Sequence, residues 1–186
     1  GRYLVTGAAG FIGTHLLRRL HAAGCEVVAL DVRPPDVIPS GVCYLECDLS
    51  DRAAVERAVS SQPVEYALHL AARVGDWGTF SDFDSINVTG ARNVLRALTH
   101  AKVRRVLHVS SIAAMGLDAG AVADESVAPV TTGDPYSATK ALGELVAREL
   151  QSEGAPVVIV RPGDVYGVGS TPWVVRPVEL MRKRQM

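Results

Sequence analysis

A tyrosine and a lysine lie four residues apart in the stretch PYSATK, at Tyr136 and Lys140. On a helix this spacing places both side chains on one face. A free tyrosine has a pKa of about 10, and an ammonium group about 4 Å away at an effective dielectric constant of about 20 favours the phenolate by about 4 kcal/mol. The pair therefore predicts a tyrosine with a pKa near 7 that acts as a general acid or base. An ordinary amphipathic helix surface is the alternative interpretation of the same spacing.

A glycine-rich turn occurs near the start of the sequence, in LVTGAAGFIG. Gly7 allows a sharp turn out of a strand, Gly10 removes a side chain where backbone would meet a pyrophosphate, and Gly13 lets the following helix pack close to the sheet. Asp31, about 20 residues further on, is placed to accept hydrogen bonds from a ribose and to repel a 2′-phosphate. The pattern predicts an NAD site. NADP is the less favoured alternative, because Arg33 could pair with a 2′-phosphate.

Short β-branched segments alternate with helical patterns along the whole sequence. Strands are predicted at 2–6, 26–31, 42–48, 66–72, 103–111 and 156–162, and helices at 11–23, 50–61, 84–100 and 135–152. Ser50 is the predicted N-cap of the second helix; Asp134 and Pro135 begin the last. Six strands with helical crossovers predict an α/β fold, a doubly wound parallel sheet in three α/β/α layers (Rossmann fold), with strand order 3-2-1-4-5-6.

Composition excludes several classes of function. The net charge of −1 gives no electrostatic reason to expect nucleic acid or an anionic membrane as a partner. No apolar run approaches the roughly 20 residues that span a bilayer. The three cysteines have no metal-binding spacing and predict reduced thiols in a cytoplasmic protein. The five histidines have no convergent acidic or thiol partner, so no metal site is expected.

TGAAGFIG resembles the fingerprint of the extended short-chain dehydrogenase/reductases, the NAD-dependent epimerase/dehydratase group. Further segments resemble that family in order: CDLS, HLAA, INVTGARNVL and RPGDVYGVG. This similarity covers nearly all of the chain. It implies a cofactor site made by the residues Gly7, Gly10, Phe11, Ile12, Gly13, Asp31, Arg33, Asp48, Leu49, Leu70, Ala71, Ala72, Asn87, Ser110, Tyr136, Lys140, Pro162 and Val165.

The resemblance also implies a catalytic triad of Ser111, Tyr136 and Lys140. When HVSSIAAMG is aligned on Gly116, the family's catalytic hydroxyl falls on Ser111. Ser111 would hydrogen-bond the substrate oxygen while Tyr136 moves the proton and the nicotinamide moves the hydride. Met115 departs from the tyrosine that is frequent at this position in sugar-nucleotide enzymes, which weakens that substrate assignment.

Three functions compete on this basis. The first is a dehydrogenase acting on a secondary alcohol or ketone, because VGDWG resembles the 3β-hydroxysteroid dehydrogenase-like branch. Trp77 in that segment either faces an apolar substrate or is buried for structural reasons. The second is a sugar-nucleotide epimerase or dehydratase that retains NAD. The third is a non-catalytic NAD-binding module.

The expected organisation is a Rossmann domain at 1–170, which carries the triad, followed by residues 171–186 as the start of a largely absent C-terminal substrate region. Family resemblance further implies a small-molecule substrate and a homodimer formed through a four-helix bundle. The helices near 84–100 and 135–152 would contribute to that bundle.

Overall fold

A computed structural model describes residues 1–75, 77–116 and 123–185. Its six-stranded sheet is parallel throughout and has the predicted order β3-β2-β1-β4-β5-β6. The first two strands have the predicted bounds and the other four are shorter than predicted. The strands are β1 Arg2–Thr6, β2 Glu26–Asp31, β3 Cys43–Glu46, β4 Tyr66–His69, β5 Arg105–Val109 and β6 Val157–Val160.

The α-helices are α1 Phe11–Ala22, α2 Arg52–Ser61, α3 Phe80–Asp84, α4 Ala91–His100, α5 Pro135–Ser152 and α6 Arg176–Arg182. A π-helical turn at Ser85–Gly90 joins α3 to α4, a second one at Thr171–Val175 precedes α6, and a 3₁₀ turn covers Ile112–Met115.

Local capping explains where the helices begin and corrects two predictions. Asp51, and not Ser50, caps α2, because its carboxylate accepts the Ala54 N–H at 3.0 Å. The Ser50 hydroxyl instead donates to Asp48 at 2.8 Å. The helix predicted from 84 begins at Phe80, where Thr79 and Asp82 form a capping box. The predicted cap of α5 is confirmed, since Asp134 accepts the Ser137 N–H at 3.0 Å.

Helices cover both faces of the sheet, as the predicted three layers require. One core cluster joins the sheet to α2, α4 and α5, with Val55, Leu95 and Val146 among its buried residues. The other cluster packs Leu17 of α1 against Val5 and Ala29. Right-handed crossovers explain the division, because the chain moves across the sheet in one direction after β1 and in the opposite direction after β3.

The carboxyl ends of β1, β4 and β5 meet at one edge of the sheet. Thr6 lies opposite His69, and His69 lies opposite His108. In an open α/β sheet this edge, where strand order reverses, is where ligands bind. Among the helices of the described ranges, none is both long and apolar enough to cross a membrane.

Candidate dinucleotide and catalytic site

The glycine turn has the geometry that its sequence predicts. Gly7 has a φ of +67°, a left-handed conformation that favours glycine. A Cβ at this position would lie 2.7 Å from the Ala71 amide nitrogen, so Gly7 also allows the loop after β4 to approach. Gly13 is in close contact too, but with a different partner from the predicted one. A Cβ on Gly13 would overlap the Gly7 carbonyl oxygen and lie 2.9 Å from the Ala8 Cα, so at Gly13 the helix is in close contact with the glycine turn.

Among the residues that the structure describes, no side chain caps the N–H groups in the first turn of α1. Its N-cap is Gly10, which makes no side-chain cap hydrogen bond, and its first turn contains no acidic residue. In contrast, α2, α3 and α5 begin at side-chain caps from Asp51, Thr79 and Asp134. Free N–H groups and the positive end of a helix dipole favour an anion. The residues at this turn therefore fit a dinucleotide pyrophosphate.

Asp31 lies beside this turn at the end of β2. Its two carboxylate oxygens accept the Ala9 N–H at 2.9 Å and the Val32 N–H at 2.8 Å. The carboxylate therefore fixes the glycine turn to β2 through backbone contacts. Arg33, two residues further along, is exposed. Of the predicted adenine contacts, Asp48 is exposed and accepts the Ser50 N–H at 2.9 Å, and Leu49 is buried.

The segment after β4 is held against the same edge. The Ala71 N–H donates to the Thr6 hydroxyl at 3.3 Å. Asn87, which is buried in the π-helical turn, accepts the Arg73 N–H at 2.8 Å and donates to the Arg73 carbonyl at 3.1 Å. Its amide also donates to Thr139 of α5 at 3.0 Å. Asn87 thus fixes the chain that follows Leu70–Ala72 to the helix that carries the Tyr/Lys pair.

The structure brings the side chains of Ser111 and Tyr136 together, and hydrogen bonding by Ser111 lowers the pKa of Tyr136 against the larger effect of burial. Ser111 follows β5, and its hydroxyl oxygen also accepts the Ala113 N–H at 3.1 Å, which begins the 3₁₀ turn. Tyr136 lies in the first turn of α5 and meets the ring of buried Phe83 edge to face at 6.4 Å. Two hydroxyls from different elements therefore converge on one point of the edge.

The expectation of a tyrosine pKa near 7 is wrong for this structure. Burial raises the pKa of Tyr136 above its ordinary value, the hydrogen bond with Ser111 opposes that effect, and Asp134 adds to it. Lys140 does not compensate, because its ammonium group is directed at β5, where it donates to the Val109 carbonyl at 2.8 Å. The site holds a protonated tyrosine at neutral pH.

Lys140 is itself unusual in being only 6% exposed. Burial lowers its pKa from 10.5 to about 8, and the negative charge of Glu144 opposes that effect. Two buried histidines from the neighbouring strands lie near it, with their rings stacked at 5.2 Å. Burial lowers the pKa of His69 to about 3 and that of His108 well below 6.5, and Lys140 contributes to both effects. Both histidines are therefore neutral at physiological pH.

Sequence reasoning missed a buried ionic cluster next to this pair. Glu144 is fully buried and accepts hydrogen bonds from Ser110, Arg148 and Arg161. Ser110, predicted to contact the cofactor, is 3% exposed, and its hydroxyl donates to Glu144 at 2.7 Å. The signal that could have revealed the cluster is the four-residue spacing of Tyr136, Lys140, Glu144 and Arg148.

The segment after β6 lies across the start of α1. The Pro162 carbonyl accepts the Ile112 N–H at 3.1 Å, which connects this segment to the loop after β5. His15 of α1 is hydrogen-bonded to the Val168 carbonyl at 2.9 Å. An open cleft of about 260 Å³ is lined by Phe11, Ile12, His15, Val165, Tyr166 and Gly167. Several predicted cofactor residues therefore lie on one surface.

Two other predictions concern side chains outside this cluster. Trp77 is 85% exposed, so the interpretation of a structurally buried tryptophan is wrong. Asp76 of the same VGDWG segment lies outside the described residues. The described parts of the chain contain no group of three or more His, Cys, Asp or Glu side chains that could hold a metal ion.

Comparison with known proteins agrees with this arrangement. The model of the NAD dependent epimerase/dehydratase family matches residues 3–181. The chain belongs to this family. The family assignment confirms the resemblance seen in the sequence, and the fold explains why its landmarks occur in that order.

Individual relatives differ in the reactions that their names describe. Sterol demethylase protein B of Methylococcus capsulatus is 35% identical over 94% of this chain and 53% of that protein. The 2-alkyl-3-oxoalkanoate reductase of Stenotrophomonas maltophilia is 30% identical over 100% of this chain and 57% of that protein. The chain spans about half the length of these curated relatives.

A solved structure of a UDP-glucose 4-epimerase from Thermus thermophilus, in complex with NAD, superposes with a TM-score of 0.78 at 34% identity. The superposition covers 90% of this chain and 56% of the epimerase chain. A probable dTDP-glucose 4,6-dehydratase of Sinorhizobium fredii is 29% identical over 97% of this chain and 58% of that protein, so the relatives include reductases, a dehydratase and epimerases. NAD-bound structures such as the Thermus thermophilus epimerase support NAD(H) binding by the present chain.

Proposed function

We propose that this protein is an NAD-dependent oxidoreductase that transfers hydride at a secondary alcohol or ketone, with Tyr136 as the acid or base. The observation that carries the proposal is the juxtaposition of the Ser111 and Tyr136 side chains at the sheet edge, where α1 begins without a side-chain cap. Ser111, Tyr136 and Lys140 are the proposed catalytic residues. The cofactor residues inferred from the sequence remain proposals, with NAD preferred to NADP because of the position of Asp31.

The fit of the cofactor rests on the turn itself. The uncapped N–H groups of α1 would hold the pyrophosphate, and Gly10 leaves that approach free of a side chain. Asp31 would receive the ribose hydroxyls with the lone pairs that the Ala9 and Val32 amides leave free, since each carboxylate oxygen has two. When bound, the nicotinamide would accept or donate the hydride.

The residues of the chain would handle the substrate oxygen and its proton. Ser111 would hydrogen-bond this oxygen and hold it near the Tyr136 hydroxyl. Lys140 has three N–H donors and gives one to Val109, so two remain for a ribose hydroxyl. Because the pKa of Tyr136 is raised, the hydroxyl is protonated and ready to act as an acid. This state favours reduction of a ketone over oxidation of an alcohol at neutral pH.

The pH dependence of ketone reduction follows from these two groups. Reduction needs the protonated tyrosine and the lysine ammonium. Tyr136 stays protonated throughout the neutral range because its pKa is raised. Lys140 has a pKa of about 8, so it loses its proton as the pH rises through that value. We expect kcat/KM for ketone reduction to fall above about pH 8, measured as NADH consumption from pH 6 to 10. A flat profile across that range would contradict the role given to Lys140.

A second candidate is a sugar-nucleotide epimerase or dehydratase that retains NAD through its cycle. Similarity to the Thermus thermophilus epimerase supports it. Met115 in place of the frequent tyrosine weakens it. The third candidate, a non-catalytic NAD-binding module, requires that the juxtaposed Ser111 and Tyr136 do no chemistry.

The larger organisation of the protein is also proposed. Residues 1–170 would form the dinucleotide domain, and 171–186 would begin a substrate region. A homodimer through α4 and α5 and a cytoplasmic location remain predictions. So does the expectation that neither nucleic acid nor a membrane is a partner.

One experiment separates the three functions. The protein is incubated with NADH and 3-ketosteroids, or with NAD and UDP-glucose, and both nucleotide absorbance and products are followed. The oxidoreductase consumes NADH and forms a hydroxysteroid. An epimerase or dehydratase converts UDP-glucose without net change in NADH. Cofactor binding by calorimetry without either reaction would overturn the oxidoreductase proposal in favour of the binding module.

A further inference from the structure

The face of α5 that carries the Tyr/Lys pair continues with charged residues at the same spacing. Glu144 and Arg148 follow Tyr136 and Lys140, so four side chains lie in one row along the helix. The Glu144 side chain is completely buried. A buried carboxylate is stable only when opposite charges and hydrogen bonds compensate for lost hydration. Its location one turn beyond Lys140 therefore requires a physical reason.

Glu144 is fully engaged by groups from three elements. Arg161, at the end of β6, donates from Nε to one carboxylate oxygen at 2.8 Å and from Nη2 to the other at 2.7 Å. Arg148 of α5 donates at 2.8 Å, and Ser110 after β5 donates at 2.7 Å. Burial raises the pKa of Glu144, but these hydrogen bonds and the Arg161 charge outweigh it and lower the pKa overall. The carboxylate is therefore ionised at neutral pH.

Through Ser110, Glu144 is linked to the two residues after and within β5 that contact the Tyr/Lys pair, Ser111 and Val109. The residue before Ser110 is Val109, whose carbonyl accepts the Lys140 ammonium. The residue after it is Ser111, whose side chain lies beside that of Tyr136 and lowers its pKa. A backbone held at Ser110 is thus held between the acceptor for Lys140 and the partner of Tyr136.

Glu144 is also the charge that compensates Lys140. The titratable groups near Lys140 are Tyr136 and Glu144 from α5, His69 from β4 and His108 from β5. The tyrosine and both histidines are neutral at physiological pH. Within the described ranges no carboxylate lies within ion-pair distance of the Lys140 ammonium, so Glu144 acts on it through space.

We propose that Glu144 is a positioning residue of this site: it fixes the Val109–Ser111 backbone through Ser110, and its negative charge stabilises the Lys140 ammonium in a buried environment. This inference rests on the proposed function, because that function gives Lys140 and Tyr136 their roles. Arg161 and Arg148 keep the carboxylate ionised and in place. No contact between Glu144 and substrate or cofactor is part of the proposal.

The charge role is tested without any substrate, by NMR titration of the lysine side chains. The other lysines of the sequence, Lys102 and Lys183, are both exposed, so a protein labelled with ¹³Cε-lysine gives few signals. Lys140→Met identifies the Lys140 signal by its loss. Because burial lowers the pKa of Lys140 to about 8, we expect this signal to titrate near pH 8 in the wild type. In Glu144→Gln we expect a midpoint at least one pH unit lower, a tenfold larger acid dissociation constant.

Matched variants separate charge from packing. Glu149→Gln removes an exposed carboxylate of the same helix, which pairs with Arg92 at 2.9 Å, and leaves the Lys140 midpoint unchanged. If Glu144→Gln does not fold, Glu144→Gln with Arg161→Gln removes both buried charges, and the midpoint still falls. An unchanged Lys140 midpoint in either folded variant overturns the proposal, whatever the catalytic assays show.

The positioning role has its own readout. Ser110→Ala keeps the Glu144 charge, so the Lys140 midpoint moves by less than in Glu144→Gln. It releases the backbone that carries Ser111, so we expect kcat for 3-ketosteroid reduction to fall about tenfold, by analogy with other losses of positioned groups. An unchanged kcat would remove the positioning half of the proposal. If the wild type does not reduce a ketone, the proposed function is wrong. The lysine titration still tests the charge role of Glu144, because it needs no substrate.

Discussion

The start of α1 and the start of α5 lie at the same edge of the sheet but differ in how their polar groups are satisfied. The α1 turn leaves its N–H groups without side-chain caps and shapes the backbone with glycines. The α5 region caps its helix with Asp134 and buries Lys140 and Glu144 in contacts within the protein. The first region is completed by a ligand, and the second is already complete. The difference teaches that the proposed cofactor binding would depend on backbone shape, whereas the proposed catalysis would depend on a buried network of side chains.

The largest effect is expected where the backbone shape is changed at the first region. Gly7→Ala places a left-handed alanine against the Ala71 amide, so we expect a loss of about 3 kcal/mol or more in the free energy of unfolding and no detectable NAD binding. Gly24→Ala is the matched control. Gly24 has a φ of +70°, but nothing lies within 4 Å of its added Cβ.

Strain alone then predicts a loss of about 1 to 2 kcal/mol and intact NAD binding for Gly24→Ala. Chemical denaturation and calorimetry measure both quantities. Equal losses in the two variants would show that the contact with the β4 loop is unimportant.

An effect of opposite sign is expected in the second region. Lys140→Met removes a buried cation whose pKa falls from 10.5 to about 8 on folding. A tenfold change in an acid dissociation constant corresponds to about 1.4 kcal/mol, and the lost hydrogen bond to Val109 offsets about 1 kcal/mol of the gain. We expect the variant to be about 2 kcal/mol more stable at pH 7 and inactive.

The pH dependence of that stability gain has a definite sign. The unfolded chain binds more protons than the folded one between about pH 8 and 10.5, so folding of the wild type becomes more favourable as the pH rises through this window. The advantage of Lys140→Met is therefore full below about pH 8 and lost as the pH approaches 10.5. Urea unfolding at several pH values measures it. A variant less stable than the wild type at pH 7 would show that Lys140 is not held at an energetic cost.

A smaller effect is expected for Asp31, which is both a partner of backbone amides within the protein and a proposed ligand of the cofactor. Its carboxylate is engaged by the Ala9 and Val32 amides and is also the proposed ribose acceptor. In Asp31→Asn, one amide N–H must lose its acceptor, so we expect about 1 kcal/mol lower stability and roughly tenfold weaker NAD binding. Asp36→Asn, on the exposed loop that follows, is the control and leaves both unchanged. Equal NAD affinities of wild type and Asp31→Asn would remove Asp31 from the cofactor site.

The same contrast explains what the sequence could predict. Strand order, the glycine turn and the Asp134 cap depend on local patterns and known crossover rules, and all were predictable. The start of α3 was missed because Thr79 and Asp82, which form its capping box, lie in a stretch without helical periodicity.

The Glu144–Arg161 pair could not be predicted because its partners are 17 residues apart and meet only when β6 is added to the sheet. The raised pKa of Tyr136 was unpredictable for a related reason. Spacing places Lys140 on the right face, but tertiary packing decides that its ammonium is directed at Val109.

The most direct test of the proposed function compares Tyr136→Phe with Tyr3→Phe, in NADH-dependent ketone reduction and in NAD affinity. Tyr3 of β1 stacks on Tyr66 of β4, away from the proposed catalytic residues. We predict that Tyr136→Phe lowers kcat by about 10²- to 10⁴-fold while its NAD affinity stays within about twofold of the wild type, and that Tyr3→Phe changes neither. Unchanged turnover in Tyr136→Phe would contradict the assignment of Tyr136 as the catalytic acid.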